Sequence, residues 1–260
     1  MCRIFGSLSL HPEGVARAVL LAENALRVQS REHPDGWGVA WYVAGAPTVV
    51  RSLEPAHADA SFEDAFEAAQ SQAVIAHVRK ASVGGITLEN THPFEHGRWV
   101  FVHNGTLPDW ERAQPLVEAQ LDPALRRGLR GETDSERCFA LFLTRLRLRC
   151  DPDAASFDDA VAALRETVAL VRAASETAPA APASTTFVLS DGRLLLGCRR
   201  GRTLHTSHPA PGSDGRVAWF AVSSEAPGTA AKEHPDPWEL IGEDRWCGVD
   251  GELRLRHGAL

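Results

Sequence analysis

Apolar runs divide the chain into a strand-rich first part, a helical middle and a strand-rich last part. Short apolar runs bounded by turn residues predict strands at residues 2–10 (CRIFGSLSL), 36–43 (GWGVAWYV), 73–79 (AVIAHVR) and 98–105 (RWVFVHNG). Val49–Arg51 is expected to pair with the second of these as a hairpin. Helical spacing of apolar residues predicts helices at 14–28, 61–70 with Ser61 as N-cap, from Gly131–Glu136 to about Leu148, and about 156–175.

The last third of the chain is again rich in predicted strands. They are STTFVLS, RLLLGCR, TLHTSH, RVAWFAVSS, RWCGVD and ELRLRH, and Asp-Gly pairs at 191–192, 214–215 and 250–251 favour hairpins between them. The Ala/Pro connector at 177–184 is too short to establish a domain boundary. Hairpins outnumber strand-helix-strand units, which indicates antiparallel sheets that pack together and are covered by helices.

The composition and net charge of the chain limit the kinds of molecule that it is expected to bind. The 260 residues are 44% apolar, which is ample for a sizeable core, and the net charge is −7 without a dense Lys/Arg block. A nucleic acid or an anionic membrane is therefore not expected as a partner, and small molecules or proteins are. The first twenty residues lack the pattern of a secretory signal, and no run is apolar for long enough to span a bilayer, so we expect a cytoplasmic protein.

The five cysteines indicate neither a disulfide framework nor a zinc site. Their number is odd, their spacing is wide and no Cys-x-x-Cys pair occurs. Four of them, including Cys138 within an apolar helical run, are expected to be ordinary small apolar residues. His92 and His96 have a helical metal-ligand spacing, but Pro93 lies between them and the segment is predicted to be a turn. No metal or cofactor is expected.

Cys2 is the fifth cysteine and the first candidate for chemistry. Removal of Met1 would give an N-terminal residue with both a thiol and a free α-amine. The amine titrates at about pH 8 and the thiol at about pH 8.5, so a proton passes between them at little cost. The predicted strand at 2–10 would hold such a terminus in place.

Three further positions each have a functional and an ordinary interpretation. Asn104-Gly105 at a strand end can supply two N–H donors to an oxyanion, or form a type I′ turn. Arg79 at another strand end can bind a carboxylate or be a surface residue. Asp134 can bind an ammonium group or be a helix N-cap.

Together with Cys2, several motifs resemble class II glutamine amidotransferase domains, which are N-terminal nucleophile hydrolases. The resemblance is closest to the stand-alone bacterial branch and covers residues 2 to about 150. The motifs occur in the family's order: Asp35-Gly36-Trp37-Gly38, Ala76-His77-Val78-Arg79-Lys80-Ala81-Ser82, Asn90-Thr91-His92-Pro93-Phe94, Val102-His103-Asn104-Gly105 and Gly131-Glu132-Thr133-Asp134-Ser135-Glu136.

The resemblance implies an α+β fold, a four-layer αββα sandwich, formed as one glutaminase-type domain over residues 1–260. It also implies that Cys2, with its own α-amine as base, attacks the side-chain amide of glutamine. Ammonia would leave, and water would hydrolyse the γ-glutamyl thioester.

The resemblance assigns roles to five other residues. Asn104 and the Gly105 N–H would form the oxyanion hole, Arg79 would bind the substrate α-carboxylate and Asp134 the α-ammonium. Ser82 matches a hydroxyl position in the glutamine pocket. A zwitterionic amino-acid head requires one cation and one anion at a fixed separation, which agrees with Arg79 and Asp134.

The loop after the arginine departs from the pattern of the hexosamine- and purine-pathway members. Those have a tryptophan and then a histidine where this chain has Lys80 and Val83, and they carry an acceptor domain for which 260 residues leave no room. Three functions therefore remain open. They are a glutaminase that passes ammonia to a separate synthase, a γ-glutamyl hydrolase on a larger conjugate as in ergothioneine-type pathways, and a catalytically silent glutamine- or glutamate-binding module.

Overall fold

The computed structural model describes residues 2–11, 25–176, 182–226 and 238–260, and within these ranges thirteen strands form two sheets. The strands are β1 (Arg3–Ser9), β2 (Trp37–Val43), β3 (Ala46–Ser52), β4 (Ala73–Val78), β5 (Phe94–His96), β6 (Trp99–Asn104), β7 (Thr186–Ser190), β8 (Leu195–Arg199), β9 (His205–Ser207), β10 (Trp219–Ser223), β11 (Glu239–Leu240), β12 (Arg245–Val249) and β13 (Leu255–Ala259).

The α-helices of the described ranges lie mainly in the middle of the chain. They are α1 (Leu26–Gln29), α2 (Ser61–Ala68), α3 (Trp110–Glu118), α4 (Pro123–Arg127), α5 (Asp134–Arg147) and α6 (Phe157–Ser175), with short 3₁₀ turns at Leu88–Asn90 and Pro152–Ala154. None of the helices in these ranges is long and apolar enough to cross a membrane.

The first sheet has seven strands in the order β11-β9-β10-β1-β4-β2-β3. Every neighbouring pair in it is antiparallel. β1 therefore lies inside the sheet, with Arg3 opposite Val78 of β4 and Phe5 opposite Ser223 of β10. The beginning of β1 and the end of β4 are therefore adjacent, at one end of the strands of this sheet.

The second sheet has six strands in the order β13-β12-β8-β7-β6-β5, and it is also antiparallel throughout. The predicted hairpins at Asp191-Gly192 and Asp250-Gly251 are the β7–β8 and β12–β13 connections, and Asp214-Gly215 lies between β9 and β10. The hairpin partner predicted at Val49–Arg51 is confirmed as part of the longer strand β3.

The sheets pack face to face and helices cover their outer faces, because alternate side chains of each strand point to opposite sides. Along β1, Ile4 and Leu8 lie in the core between the sheets, whereas Phe5 packs beneath α1 and α2. On β6, Val102 faces the inner core and Phe101 the helices α3 to α6. This confirms the expected four-layer αββα sandwich.

Several local predictions differ from the structure. Ser61 is the first residue of α2 and not its N-cap, because Asp59 already accepts the backbone N–H of Ser61 (3.0 Å). The helices α3 and α4 and the short strands β5 and β11 were not predicted. The buried residues of α3 are Ala113 and Val117, too sparse an apolar stripe to give a clear helical period. Residues 14–24 of one predicted helix, and 177–181 of the connector, lie outside the described residues.

Candidate active site

Cys2 directly precedes β1 and is fixed by the two strands that flank it. The Ile4 N–H donates to Ser224 Oγ (3.0 Å) and the Ser224 N–H donates to the Ile4 carbonyl (3.0 Å), while Arg3 pairs with Val78 on the other side. The chain is thus held from its third residue onward. The strand predicted at residues 2–10 is confirmed as β1, which begins directly after Cys2.

The Cys2 thiol lies against the loop that follows β4. Its Sγ donates to the Lys80 carbonyl at 3.5 Å. Burial raises the pKa of this thiol, while the positive charge of Arg79 acts to lower it and the negative charge of Asp134 acts to raise it. Both predicted substrate-binding charges therefore lie close enough to Cys2 to influence its ionisation.

Arg79 follows the last residue of β4 and turns its guanidinium inward. Its backbone is fixed by Gly36 and Asp35, and the residue is only 3% exposed. Nη2 donates to the carbonyls of Gly85 (3.0 Å) and Val83 (3.4 Å). Nη1 is buried and has no hydrogen-bond partner among the described residues. One side of the guanidinium thus holds the loop, and the other side is available to a ligand.

Asn104 and Gly105 end β6 and do not form a hairpin. β6 pairs with β5 before it and with β7, which follows only after the four helices α3 to α6, so the type I′ turn is excluded. Asn104 is buried, and its Oδ1 has no partner within the described ranges. A Cβ at Gly105 would overlap the Ser184 carbonyl oxygen. Close approach of the two backbones therefore requires glycine here.

Asp134 is not the N-cap of α5, as the ordinary interpretation supposed. Thr133 is the cap and accepts the Glu136 N–H (3.2 Å), which leaves Asp134 as the first helical residue. Asp134 is 3% exposed, and its Oδ2 accepts the Leu107 N–H at 2.8 Å. This bond ties the helix terminus to the segment that follows Gly105.

Ser82 connects a third segment, the loop after β4, to the segment that follows Gly105. Its hydroxyl lies 3.2 Å from Thr106 Oγ1, so the loop after β4 contacts the segment after β6. Asp35 supports that loop, because its carboxylate accepts the Ala81 N–H at 2.8 Å. From the sequence, neither Thr106 nor Asp35 is assigned a role. Asp35 lies within a motif that carried the resemblance, which was the only signal for it.

Three buried histidines lie close to the proposed site residues in the sequence: His77 on β4, His92 before β5 and His103 on β6. The rings of His77 and His92 are 4.3 Å apart, and their ring nitrogens have no hydrogen-bond partners among the described residues. His103 donates from Nε2 to the Ser184 carbonyl (2.8 Å) and accepts at Nδ1 from Ser135 Oγ (2.9 Å). Burial lowers the pKa of all three, so they are neutral at pH 7.

The described residues offer no alternative centre of chemistry. His96 is exposed beside Arg147 whereas His92 is buried, and no group of three His, Cys, Asp or Glu in the described ranges is arranged to hold a metal ion. A cleft of about 370 Å³ lies at the opposite end of β1, lined by Leu8, Gln72 and Arg193 among others. It contains none of the predicted site residues.

Residues 1–216 match the family model described as glutamine amidotransferases class-II. The chain belongs to this family. A probable glutamine amidotransferase of Saccharomyces cerevisiae is 28% identical over 195 residues, which are 68% of this chain and 55% of that protein. A gamma-glutamyl-hercynylcysteine sulfoxide hydrolase of Mycobacterium tuberculosis is 36% identical over 140 residues, 48% of this chain and 58% of that one. The chain thus spans only about half the length of these curated relatives.

The fold agrees with this membership of the class II amidotransferases. A glutamine aminotransferase class-II domain protein of Silicibacter pomeroyi superposes with a TM-score of 0.66 at 22% identity, covering 99% of both chains. At this identity the likeness concerns the fold alone. The sandwich described above is accordingly the fold of a class II amidotransferase domain.

Proposed function

We propose that the chain hydrolyses the side-chain amide of glutamine, or of a γ-glutamyl compound, with Cys2 as an N-terminal nucleophile. The observation that carries the proposal is the meeting of the segments that hold Cys2, Arg79 and Asp134. Cys2 Sγ donates to the Lys80 carbonyl directly after Arg79, and the same loop contacts Thr106 through Ser82. The neighbouring Leu107 N–H donates to Asp134. The unpartnered Arg79 Nη1 supports a carboxylate ligand at this place. Residues 1–260 would form one domain, since β1 pairs with β10 from the last third of the chain.

The reaction begins once Met1 has been removed. The α-amine of Cys2 takes the thiol proton, Sγ attacks the amide carbon, and the carbonyl oxygen gains the charge. Asn104 Nδ2 and the Gly105 N–H would stabilise that oxyanion, a role worth about 3 to 4 kcal/mol per donor in other hydrolases. The C–N bond then breaks, and the ammonium of Cys2 returns its proton to the leaving nitrogen as ammonia departs.

Water completes the turnover. The α-amine takes a proton from water, the resulting hydroxide attacks the γ-glutamyl thioester, and the C–S bond breaks to give glutamate and the free thiol. During both steps Arg79 would hold the α-carboxylate, Asp134 the α-ammonium, and Ser82 would line the pocket. Fixing both ends of the amino-acid head holds the amide at reacting distance from Sγ.

Two measurements test this proposal. Intact-mass analysis of the purified protein should show loss of Met1, because a retained methionine blocks the amine. Ammonia release from L-glutamine should then be absent in Cys2→Ala and present in the wild type. A wild type that lacks Met1, binds glutamate and turns over no γ-glutamyl amide would contradict the proposal and leave a silent binding module.

A second candidate is hydrolysis of a larger γ-glutamyl conjugate, which is supported by the exposure of the loop after β4. The loop that Arg79 holds is exposed at Ile86 and Leu88, which are 52% and 48% accessible. One relative is named as a hydrolase of a γ-glutamyl conjugate. Comparing kcat/KM for glutamine with that for γ-glutamyl amides of increasing size separates the two candidates. An ammonia-accepting synthase and a cytoplasmic location stay predictions.

A further inference from the structure

Asn90 is a buried side chain that joins two segments far apart in the sequence. It ends the 3₁₀ turn Leu88–Asn90 and is 2% exposed. Its Nδ2 donates to the Gly85 carbonyl at 3.1 Å, and its Oδ1 accepts the Glu132 N–H at 2.7 Å. Both ends of the amide are thus used, one on each segment.

Each of these segments carries one of the two proposed ligand-binding charges. The Gly85 carbonyl held by Asn90 is the same atom that accepts from Arg79 Nη2 at 3.0 Å. Glu132 lies two residues before Asp134, with the cap of α5 between them. A continuous set of hydrogen bonds therefore runs from the guanidinium through Gly85 and Asn90 to the beginning of α5.

The packing around Asn90 leaves it little freedom to move. A Cβ at Gly131 would overlap Asn90 Oδ1 and would lie 2.7 Å from the Glu89 carbonyl oxygen. The backbone before Asp134 thus lies directly on the Asn90 amide. A buried amide that is hydrogen-bonded at both its nitrogen and its oxygen and is tightly packed fixes the relative position of the groups it joins.

We propose that Asn90 is a positioning residue that sets the separation of Arg79 and Asp134, and so selects the zwitterionic head of the substrate. This inference rests on the proposed function. Asn90 acts through Arg79 and Asp134 and does not itself contact substrate. Because the amino-acid head requires both charges at a fixed spacing, loss of Asn90 should weaken binding of the head and leave the reactivity of Cys2 intact.

The experiment compares two reagents on the full chain. Labelling by a chloroketone analogue of L-glutamine depends on binding of the amino-acid head and on the reactivity of the Cys2 thiol. Alkylation by iodoacetamide depends on the reactivity of the thiol alone. The variants are Asn90→Ala and Gly131→Ala, of which the second keeps Asn90 but displaces its amide. Thr91→Val is the matched control, since it removes a hydrogen bond to the Thr87 carbonyl in the same turn without touching the link.

In Asn90→Ala and Gly131→Ala, the concentration of chloroketone for half-maximal labelling of Cys2 should rise about 10- to 100-fold. The alkylation rate with iodoacetamide should stay at the wild-type value, and Thr91→Val should match the wild type in both. Equal chloroketone labelling in all variants would overturn the inference. A parallel fall with both reagents would also overturn it, because Asn90 would then only maintain the fold of the site.

The wild type separates this inference from the proposed function. If L-glutamate gives the wild type no protection against the chloroketone, the proposed function fails and the variants are not at issue. If Asn90→Ala does not fold, as judged by its unfolding transition, Gly131→Ala decides alone.

Discussion

Acidification should destabilise the folded chain through the buried neighbouring pair His77 and His92. Burial lowers the pKa of His77 to about 3 and that of His92 well below its usual range. In the unfolded chain both titrate near pH 6.5. Below that pH the unfolded state binds protons that the folded state does not. The free energy of unfolding therefore decreases as the pH is lowered. The loss begins near pH 6.5 and, for His77, continues to about pH 3.

The magnitude follows from the free energy of protonating the unfolded state. Between about pH 7.5 and about pH 5.5, each histidine that stays neutral in the fold should cost about 1.4 kcal/mol of stability. The pair should therefore cost about 2.7 kcal/mol. For a domain stable by about 5–15 kcal/mol, that is a large share.

Urea unfolding at the two pH values measures this difference. His92→Gln removes one titrating group, so its pH-dependent loss should be smaller than that of the wild type by about 1.4 kcal/mol, whatever its absolute stability. His257→Gln, at an exposed position of β13, should keep the wild-type difference. A wild type equally stable at both pH values, or a His92→Gln variant with an unchanged pH difference, would refute the reasoning.

Three further predictions concern the site. In Arg79→Lys the side chain lacks the planar guanidinium that can bind the Gly85 carbonyl and a ligand carboxylate at the same time. KM for glutamine should therefore rise about 10- to 100-fold in steady-state assays. An unchanged KM would rule out the carboxylate role. Gly105→Ala displaces the N–H donor away from Ser184, and kcat should fall about 10²- to 10³-fold while alkylation of Cys2 by iodoacetamide stays the same. Thr133→Ala removes the cap of α5 and should cost about 1 kcal/mol in urea unfolding, with a rise in KM because Asp134 follows directly. Stability loss without a change in KM would show that the cap does not position Asp134.

The strands that carry the proposed site were predictable, because their apolar runs are bounded by clear turn residues. The ends of β4 and β6 fall at Val78 and Asn104, within a residue of the predicted ends. The residue types at Asn104-Gly105 fit a hairpin turn equally well, and only the family resemblance suggests an oxyanion hole there. The structure excludes the turn, because β6 pairs with β7 across the helices α3 to α6.

Contacts between distant segments could not be predicted from the sequence. The predicted N-cap Ser61 is wrong because Ala60 precedes the helix as its N-cap. Asp59 accepts the Ser61 N–H, and its carboxylate is held by Trp37 Nε1, a contact that only the fold creates. The bridging role of Asn90 depends on residues 85 and 132 meeting in space. No local pattern encodes such a meeting, since each segment alone resembles an ordinary loop.

The interior position of β1 orders the events of biosynthesis. Residues 3–9 leave the ribosome before β4, and long before β10, with which they must also pair. At about 5–20 residues per second, the roughly 200 residues between β1 and β10 take about 10 to 40 seconds to make. During this interval β1 lacks β10 and, until β4 has been made, both of its flanking strands. Under the proposed mechanism, this interval gives time for the removal of Met1 before β10 pairs with the strand that presents the thiol.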